Sequence, residues 1–572
     1  MKRHAVGTFC AGLLLAMARV SAGEGDFGPA VTALLRHRVE EDWASAGLVV
    51  GLVDERGLRI ICYGRDKGHP NQELSGDTVF EIGSITKVFT GLLLQDMVDR
   101  GQMKLDDPVA KFLPPGTKIP VREGKQITLV ELATHTSGLP LDGDNFAPRD
   151  WLNPYADYTA EQMYAFLAGF SLPREPGTKF EYSNLGMGLL GHAIALKSGS
   201  NFEGLVLERI CRPLKMESTR ITLTPEMRQR MAQGHNMRGE EVGNLDLKVT
   251  AGSGGLRSSA NDMLKFLAAN LGLPRNDLTA AMERSHVVQY REEGMNQALG
   301  WGSVTIEGEE ILQKNGGTFG FSSYIGLEKN KHRGVVVLSN SRDDHGVSEI
   351  GTLLLFSDWH PADRLAAVNI DPVKSTDLEG QYQLGPEGAG GLVISIRRDG
   401  EHMLLKPVGD YVTSKLSFES ENSLVGDLTG RRVSFTRDGG GKVVQMSLNV
   451  NGALATARKI SDEPYRAAER AKPRVAVKVD AGVLDKVVGR YRLPSGTVVS
   501  IVREQNQLVA RMKGSSVPMA LLAESEDAYF YPNGTAEFLF IRNDRGEVDK
   551  LVANSLETSG KVEGVRIAGD SK

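Results

Sequence analysis

The sequence has few cysteines, no metal-binding pattern and a short apolar start, and each shortage excludes a class of protein. Three cysteines in 572 residues cannot build a disulfide-stapled scaffold. Neither a Cys-x-x-Cys nor a His-Glu-x-x-His pattern occurs, so we predict no metal site and no cofactor. The apolar run from Ala5 to Met17 is shorter than the roughly 20 residues that a membrane helix needs.

The first residues are instead typical of a secretory signal peptide. A charged start precedes the apolar run, and Val20-Ser21-Ala22 supplies small residues for cleavage. We expect residues 1–22 to be removed and the mature protein to be periplasmic or secreted, with no integral membrane span. Cleavage would take away three positive charges and no negative one, which shifts the net charge from −5 to −8. A negative protein of this kind is a poor nucleic-acid binder.

The cysteines leave one question open. Cys10 belongs to the signal segment, Cys62 lies in an apolar strand-like run and Cys211 lies near a helix end. We interpret Cys62 and Cys211 as two buried thiols, although they could pair in an oxidising compartment and sequence alone does not decide this.

Ser84 and Lys87 form the most informative pattern of the chain, Ser-x-x-Lys. It lies where the extended segment from Phe80 to Gly83 turns into an apolar helix. Residues three apart share one helix face, so the Lys87 amine lies within reach of the Ser84 hydroxyl. Because a neighbouring base activates a serine hydroxyl, we predict that Ser84 is a nucleophile.

Two further motifs follow in order along the chain. The first, Tyr182-x-Asn184, lies between a Pro-Gly turn and an apolar helical run, and the second, Lys314-Asn315-Gly316-Gly317, leads into a strand. With Ser-x-x-Lys, this set resembles the β-lactamase and DD-peptidase family of serine hydrolases, in the branch that contains class C β-lactamases, DD-carboxypeptidases and related esterases. The resemblance covers roughly residues 25–360.

The resemblance implies a catalytic role for Ser84, Lys87 and Tyr182. Ser84 would form the acyl-enzyme, while Lys87 and Tyr182 share the proton transfers, and which of them is the base stays open. Nearby cations would lower the pKa of a lysine and favour an ionised phenol.

The resemblance also implies substrate-binding residues, namely Asn184, Lys314, Asn315, Gly316 and Gly317. Asn184 would position Lys87 and the substrate amide, and Lys314 would attract a substrate carboxylate. The oxyanion would be bound by the backbone amides of Ser84 and Gly317.

Two departures from the family pattern affect the expected substrate. Asn315 stands where β-lactamases tend to have Thr, and Thr86 stands where class C enzymes usually have Ser or Ala. Both departures favour a peptidase-like or esterase-like relative over a resistance enzyme. We predict hydrolysis of amide bonds in D-amino-acid peptides, as in a DD-carboxypeptidase, or of β-lactams. Carboxylester hydrolysis by the same residues is one alternative, and a non-catalytic penicillin or peptide receptor is another. The oligomeric state stays open.

We expect an α/β (α+β) catalytic domain over residues 23–360, like that of β-lactamases and transpeptidases. Strands are predicted within 46–64 and 311–339, so that both ends of the domain feed one sheet. Helical patterns lie between and after them, at 87–100, 160–169, 186–197, 201–212, 260–270 and near 344–358.

An internal repeat follows the catalytic domain. Gly380-Gln381-Tyr382 is echoed by Gly489-Arg490-Tyr491, and Phe435 by Phe540, 105 residues later. Alternating strand patterns with Asp-Gly and Asn-Gly turns predict two small antiparallel β-barrels, residues 375–460 and 480–572, similar to lipocalin-like barrels. We expect them to stabilise the enzyme or flank its cleft.

Overall fold

The computed structural model describes a large part of the chain. It covers residues 27–41, 45–66, 73–292, 295–306, 308–343, 346–356, 376–384, 393–400, 402–407, 414–426, 432–450, 453–464, 474–494, 496–504, 506–512, 518–534, 536–555 and 560–567. The predicted signal peptide and Cys10 lie outside these ranges.

The catalytic region mixes strands and helices. Its strands are β1 Gly47–Asp54, β2 Gly57–Gly64, β3 Val79–Glu81, β4 Val121–Arg122, β5 Lys125–Gln126, β6 Gly234–His235, β7 Glu241–Val242, β8 Arg257–Ser259, β9 Tyr290–Glu292, β10 Met295–Gln297, β11 Gly302–Ile306, β12 Glu309–Gly317, β13 Ser322–Glu328 and β14 Arg333–Ser339. Its helices are α1 Phe27–Arg36, α2 Thr86–Asp99, α3 Leu129–Ala133, α4 Ala160–Gly169, α5 Asn184–Ser198, α6 Phe202–Val206, α7 Pro225–Gln229, α8 Ala260–Asn270, α9 Thr279–Ser285 and α10 Gly346–Phe356.

One antiparallel sheet organises this region, in the order β2-β1-β14-β13-β12-β11-β10-β9. Every residue of β1 is buried, because successive side chains enter two different cores. Val49 and Val53 join the core shared with α2 and α8, whereas Leu48, Val50 and Leu52 join the core under α1 and α10. A strand covered on both faces reads as a continuous apolar run, as β1 does.

Helix α2 is the buried centre of the helical part. Each residue from Thr86 to Met97 is buried, as expected for a helix that is apolar on all sides. Gly91 allows this packing, since a Cβ there would lie 2.1 Å from the carbonyl oxygen of Leu299. This packing fixes the position of α2. Ser84 lies in the 3-10 turn Gly83–Ile85, directly before the first residue of that helix.

The predicted helices and strands of this region are largely confirmed. The hairpin β1-β2, the strands β12 to β14 and the helices α2, α4, α5, α8 and α10 lie where the sequence placed them. The expected helix at 201–212 is two pieces, because α6 ends at Val206 and a π-helical turn, Leu207–Cys211, follows.

Two closed antiparallel barrels follow, as predicted. The first consists of β15 Gly380–Leu384, β16 Val393–Asp399, β17 His402–Pro407, β18 Ser414–Ser420, β19 Ser423–Gly426, β20 Arg432–Arg437, β21 Val443–Val450 and β22 Ala453–Ser461. The second follows helix α11 Ala481–Val487 and consists of β23 Gly489–Arg492, β24 Val498–Glu504, β25 Gln507–Met512, β26 Met519–Ala523, β27 Ala528–Phe530, β28 Glu537–Arg542, β29 Val548–Ser555 and β30 Gly560–Ile567.

The second barrel packs against the catalytic region. Its Val509 and Ala520 belong to the main catalytic core, and the Arg511 guanidinium lies 5.4 Å from the ring centroid of Trp151. The hairpin turn between β27 and β28 also touches this region, where Asn533 Nδ2 donates to the Leu152 carbonyl at 3.0 Å. The second barrel therefore packs directly against the catalytic region.

Two expectations about the chain's environment can be compared with the described residues. Cys62 and Cys211 are both free thiols; Cys211 is buried, as we interpreted it, whereas Cys62 is only half-buried. Partial burial raises the pKa of Cys62 to about 11. Within the described ranges, none of the helices has the length and apolar character to cross a membrane.

Candidate active site

Ser84 lies in a tight turn that the sheet holds in place. The 3-10 turn Gly83–Ile85 connects β3 to α2, and the Ser323 hydroxyl of β13 donates to the Ile82 carbonyl at 2.9 Å. Gly83 has a φ of +47°, and a Cβ there would lie 2.7 Å from the Gly317 nitrogen. Glycine at this position lets the turn and the end of β12 approach closely.

Lys87 is buried at the centre of the site. Its Nζ lies 3.0 Å from Ser84 Oγ, 2.8 Å from Asn184 Oδ1 and 2.6 Å from the carbonyl oxygen of Ser253. Burial, together with the nearby Lys314 cation, lowers the pKa of Lys87 well below its ordinary value, while Asp142 opposes this shift. The amine therefore loses its proton more easily than an exposed lysine does.

Tyr182 contacts the nucleophile from another side. Its hydroxyl donates to Ser84 Oγ at 2.8 Å, and the Nζ atoms of Lys87 and Lys314 each lie 4.8 Å from its ring centroid. Burial raises the pKa of Tyr182 above its ordinary value, and the hydrogen bond with Ser84 opposes this only in part. Burial therefore opposes the effect that nearby cations would have on the phenol, and it favours the neutral hydroxyl.

Asn184 begins α5 and is held by the residues before it. Ser183 caps the helix, since its hydroxyl accepts from the Gly186 amide at 2.8 Å. The Ser183 amide in turn donates to Nδ1 of His135 at 3.1 Å. Burial and the two nearby lysines lower the pKa of His135 well below its ordinary value, so this ring stays neutral and accepts.

The end of β12 forms the opposite side of the site. Lys314 and Gly316 are buried, whereas Asn315 and Gly317 are exposed, as strand alternation dictates. A Cβ on Gly316 would lie 2.1 Å from the Ile82 carbonyl oxygen and 2.9 Å from the Ser84 nitrogen. The backbones of the turn and the strand can lie this close only because residue 316 has no side chain.

The same strand end is open on one side. Pairing of β12 with β11 ends at Gln313, so no described strand pairs with that edge of residues 314–317. Burial lowers the pKa of Lys314 to about 8, and Arg342 Nη1 donates to the Thr318 carbonyl at 2.8 Å. Two cations therefore flank a strand edge that an extended ligand can join.

Contacts connect most of the predicted site residues, namely Ser84, Lys87, Tyr182, Asn184, Lys314, Gly316 and Gly317. Asn315 lies on the same strand end, but its side chain is on the opposite, exposed face.

The structure also adds residues that the sequence did not single out. Ser253 holds Lys87 through its backbone carbonyl, a contact that depends on no particular side chain and so leaves no signal in the sequence. Asp142 is buried, and the side chains of Tyr155 and Asn184 act on its carboxylate and lower its pKa, against the larger opposite effect of burial. Sequence alone does not single out Asp142, which follows Pro140 by two residues, because a lone Asp in a loop belongs to no pattern.

Comparisons with known proteins agree with this geometry. The β-lactamase family model matches residues 35–356. The D-alanyl-D-alanine-carboxypeptidase/endopeptidase AmpH of Escherichia coli K12 is 32% identical over 309 residues, which cover 51% of this chain and 79% of that protein. A β-lactamase of Pseudomonas fluorescens is 27% identical over 331 residues, which cover 52% of this chain and 88% of that protein.

Solved structures show the same catalytic fold. A class C β-lactamase of Rhodobacter sphaeroides superposes with a TM-score of 0.50 at 27% identity, over 56% of this chain and 97% of that one. A β-lactamase/D-alanine carboxypeptidase of Pseudomonas syringae has a TM-score of 0.50 at 24% identity, over 56% of this chain and 96% of that one, which supports the fold. This chain belongs to the β-lactamase family, and it is a serine hydrolase that works through an acyl-enzyme.

Proposed function

We propose that this protein hydrolyses amide bonds in D-amino-acid peptides by acylation of Ser84, with Lys87 as the base, and that β-lactams acylate the same serine. The observation that carries the proposal is the set of three contacts around Lys87 Nζ, of which Ser84 Oγ is the one with a transferable proton. A lysine with a lowered pKa is suited to accept that proton near neutral pH.

The proposed reaction uses the contacts as they stand. Ser84 Oγ attacks the substrate carbonyl carbon while its proton moves to Lys87, and the backbone amides of Ser84 and Gly317 stabilise the oxyanion. The C–N bond then breaks. Tyr182 donates its hydroxyl proton to the leaving amine and takes up the proton that Lys87 had accepted. Water hydrolyses the resulting ester by the reverse transfers, which frees Ser84.

A substrate carboxylate is supported by the charge at the strand end. Lys314 is buried against the Tyr182 ring, and Arg342 lies beside the Thr318 carbonyl, so two cations face an anionic group at this edge. Asn184 and Asn315 supply amide groups on either side of the strand end. The name of the AmpH relative, a D-alanyl-D-alanine carboxypeptidase and endopeptidase, supports the same class of substrate.

Carboxylester hydrolysis remains the second candidate, because Asn315 lacks the hydroxyl that β-lactamases tend to have here. The test compares three probes on the mature protein: a peptide ending in D-Ala-D-Ala, benzylpenicillin and p-nitrophenyl acetate. We expect peptide cleavage and penicillin acylation, both absent from Ser84→Ala. Turnover of the ester alone would favour the esterase, and binding of penicillin without any covalent adduct would favour a receptor.

We also propose that the enzyme is exported, since residues 1–22 have the pattern of a cleaved signal peptide. The boundaries 23–360, 375–460 and 480–572 are proposed for the catalytic domain and the barrels. N-terminal sequencing of the protein secreted by its host would show whether it begins after Ala22.

A further inference from the structure

Asp142 is a buried carboxylate that is separated from the proposed base, Lys87, by the side chain of Asn184. Its exposed fraction is 6%, and the Asn184 backbone amide donates to the carbonyl of Leu141, the residue before Asp142, at 2.8 Å. The side chains of Tyr155 and Asn184 both act on the carboxylate and lower its pKa. An ionised carboxylate has only acceptor atoms, so it selects the NH₂ end of the Asn184 amide. The amide oxygen of Asn184 is thereby turned towards Lys87, where it accepts from Nζ at 2.8 Å.

That orientation decides where the lone pair of Lys87 points. A neutral amine has two N–H donors and one lone pair. Asn184 Oδ1 and the Ser253 carbonyl can only accept, so they take the two donors and leave the lone pair facing Ser84 Oγ at 3.0 Å. With the Asn184 amide reversed, its NH₂ group would compete with the serine for that lone pair.

We propose that Asp142 is a positioning residue, whose carboxylate locks the Asn184 amide so that the lone pair of Lys87 points at Ser84. The inference rests on the proposed function, since it needs Lys87 to be the base that deprotonates Ser84. Asp142 does not touch the nucleophile itself, so its effect passes through Asn184 and through its charge.

The surroundings of Asp142 give this role a pH signature. Tyr155 and Asn184 donate to the carboxylate, Lys87 attracts it, and Tyr158 and Tyr182 also feel its charge. Tyr531 of the second barrel also acts on Tyr155 through its charge. Burial raises the pKa of Asp142 to about 7, against the hydrogen bonds from Tyr155 and Asn184 and the charge of Lys87.

Removal of the carboxylate has a defined direction. Asp142 holds the pKa of Lys87 up, so its loss lowers that pKa further and the neutral base persists at lower pH. If the acid limb of the rate profile instead reports ionisation of Asp142, the substitution removes that limb altogether. The two groups titrate as a coupled pair, so the acid limb moves to lower pH in the first case and disappears in the second.

The test compares Asp142→Asn with Asp144→Asn, a matched change of an exposed acid in the same loop. Turnover of p-nitrophenyl acetate is measured between about pH 5 and pH 10, and each rate is divided by the number of sites that benzylpenicillin labels. For Asp142→Asn we expect kcat to fall roughly tenfold or more with KM little changed, and the acid limb to move down by about one pH unit. Asp144→Asn should match the wild type.

Two further variants keep the interpretation unambiguous. Asp142→Glu retains a carboxylate and should keep the wild-type position of the acid limb even if its rate is lower. Asp142→Ser should show the same shift as Asp142→Asn, and it replaces that variant if the latter does not fold.

Several results would overturn the inference. Asp142→Asn with a wild-type profile per labelled site contradicts it, and so does a lower rate with an unshifted limb, which indicates a purely structural role. If wild type and Asp144→Asn are active while Asp142→Asn equals them, this inference fails and the proposed function stands. If wild type forms no adduct and turns over no ester, both fail.

Discussion

At the scale of single residues, the division of labour between Lys87 and Tyr182 follows from burial. Burial favours the neutral form of both groups. A neutral amine has a lone pair and is a base, whereas a neutral phenol keeps its proton and is a donor. In the proposed mechanism, the phenol therefore donates to Ser84 Oγ and the amine takes the serine proton.

The two side chains can be separated by substitution. Lys87→Met should lower the acylation rate by about 10³-fold or more, because it removes the base. Tyr182→Phe should cost less, about 10²-fold, because it removes one hydrogen bond and a proton relay. Stopped-flow acylation by a chromogenic cephalosporin measures both, and an equal or larger loss in Tyr182→Phe would identify the phenol as the base.

Lys314 predicts how substrate binding responds to pH. Its pKa of about 8 means that the cation is present below this pH and is lost as the pH rises through it. The KM for a peptide with a free carboxylate should therefore rise above about pH 8, while the KM for a neutral ester stays level. Parallel KM profiles for the two substrates would show that Lys314 does not bind the carboxylate.

Much of the site could be predicted at this scale, for a physical reason. Ser84 and Lys87 are one helical turn apart, and the Tyr182-x-Asn184 and Lys314 motifs bring chemically distinctive groups, so local sequence carries the signal. Asp142 could not be found in this way, because its role depends on two hydrogen bonds across the fold. The raised pKa of Tyr182 could not be predicted from the sequence either, since burial is a property of the folded chain.

At the scale of elements, the close approach of the Gly83–Ile85 turn to β12 defines the proposed oxyanion site. The two backbones are brought together by glycines on both sides and by the Ser323 hydroxyl, which donates to the Ile82 carbonyl. The separation of these elements therefore sets the spacing of the Ser84 and Gly317 amides.

Gly316→Ala tests this spacing. A Cβ at 316 would lie 2.1 Å from the Ile82 carbonyl oxygen, so β12 must move away from the turn. We expect acylation to fall by about 10²-fold and the melting temperature to drop. Gly302→Ala on the neighbouring β11 is the control, because its nearest atom, the Gln313 carbonyl oxygen, is 3.5 Å away. Equal rates in the two variants would contradict the proposed oxyanion site.

Long elements were predicted better than short ones. Strand β1 and the buried helix α2 are apolar over many consecutive positions, so the sequence pattern predicts them clearly. The five-residue helices α3 and α7 give less than two turns of periodicity, and β9 and β10 have three residues each, so tertiary contacts decide them.

At the scale of the whole molecule, the two barrels differ in what they touch. Val502 of the second barrel packs against the catalytic core, whereas its counterpart 105 residues earlier, Arg397, is exposed. The repeat predicted two similar barrels, and Val502 in place of Arg397 is one sequence difference at the contact between the second barrel and the catalytic core.

A buried ion pair holds the docked barrel. Arg474 donates to both carboxylate oxygens of Glu240, at 3.2 and 2.7 Å, and its side chain is 2% exposed. Burial alone would raise the pKa of Glu240, but the hydrogen bonds from Arg474 outweigh it and lower this pKa to about 2. The pair therefore stabilises the fold above the ordinary glutamate pKa of 4.5, and this contribution is lost as the pH falls towards 2.

Glu240→Gln should loosen this contact. We expect the melting temperature at neutral pH to fall by roughly 3 °C or more, with faster hydrogen exchange in the second barrel. Glu563→Gln, which breaks an exposed pair with Lys550 on the same barrel, should change little. If both variants behave alike, the Arg474 pair does not secure the barrel.

The account depends most directly on an acyl-enzyme at Ser84. Intact-mass spectrometry of the mature protein after brief exposure to benzylpenicillin, beside Ser84→Ala, tests it in one experiment. The account predicts a covalent adduct of the mass of the opened β-lactam on the wild type and none on the variant. An adduct on Ser84→Ala, or no adduct on the wild type and no consumption of the β-lactam, would contradict it.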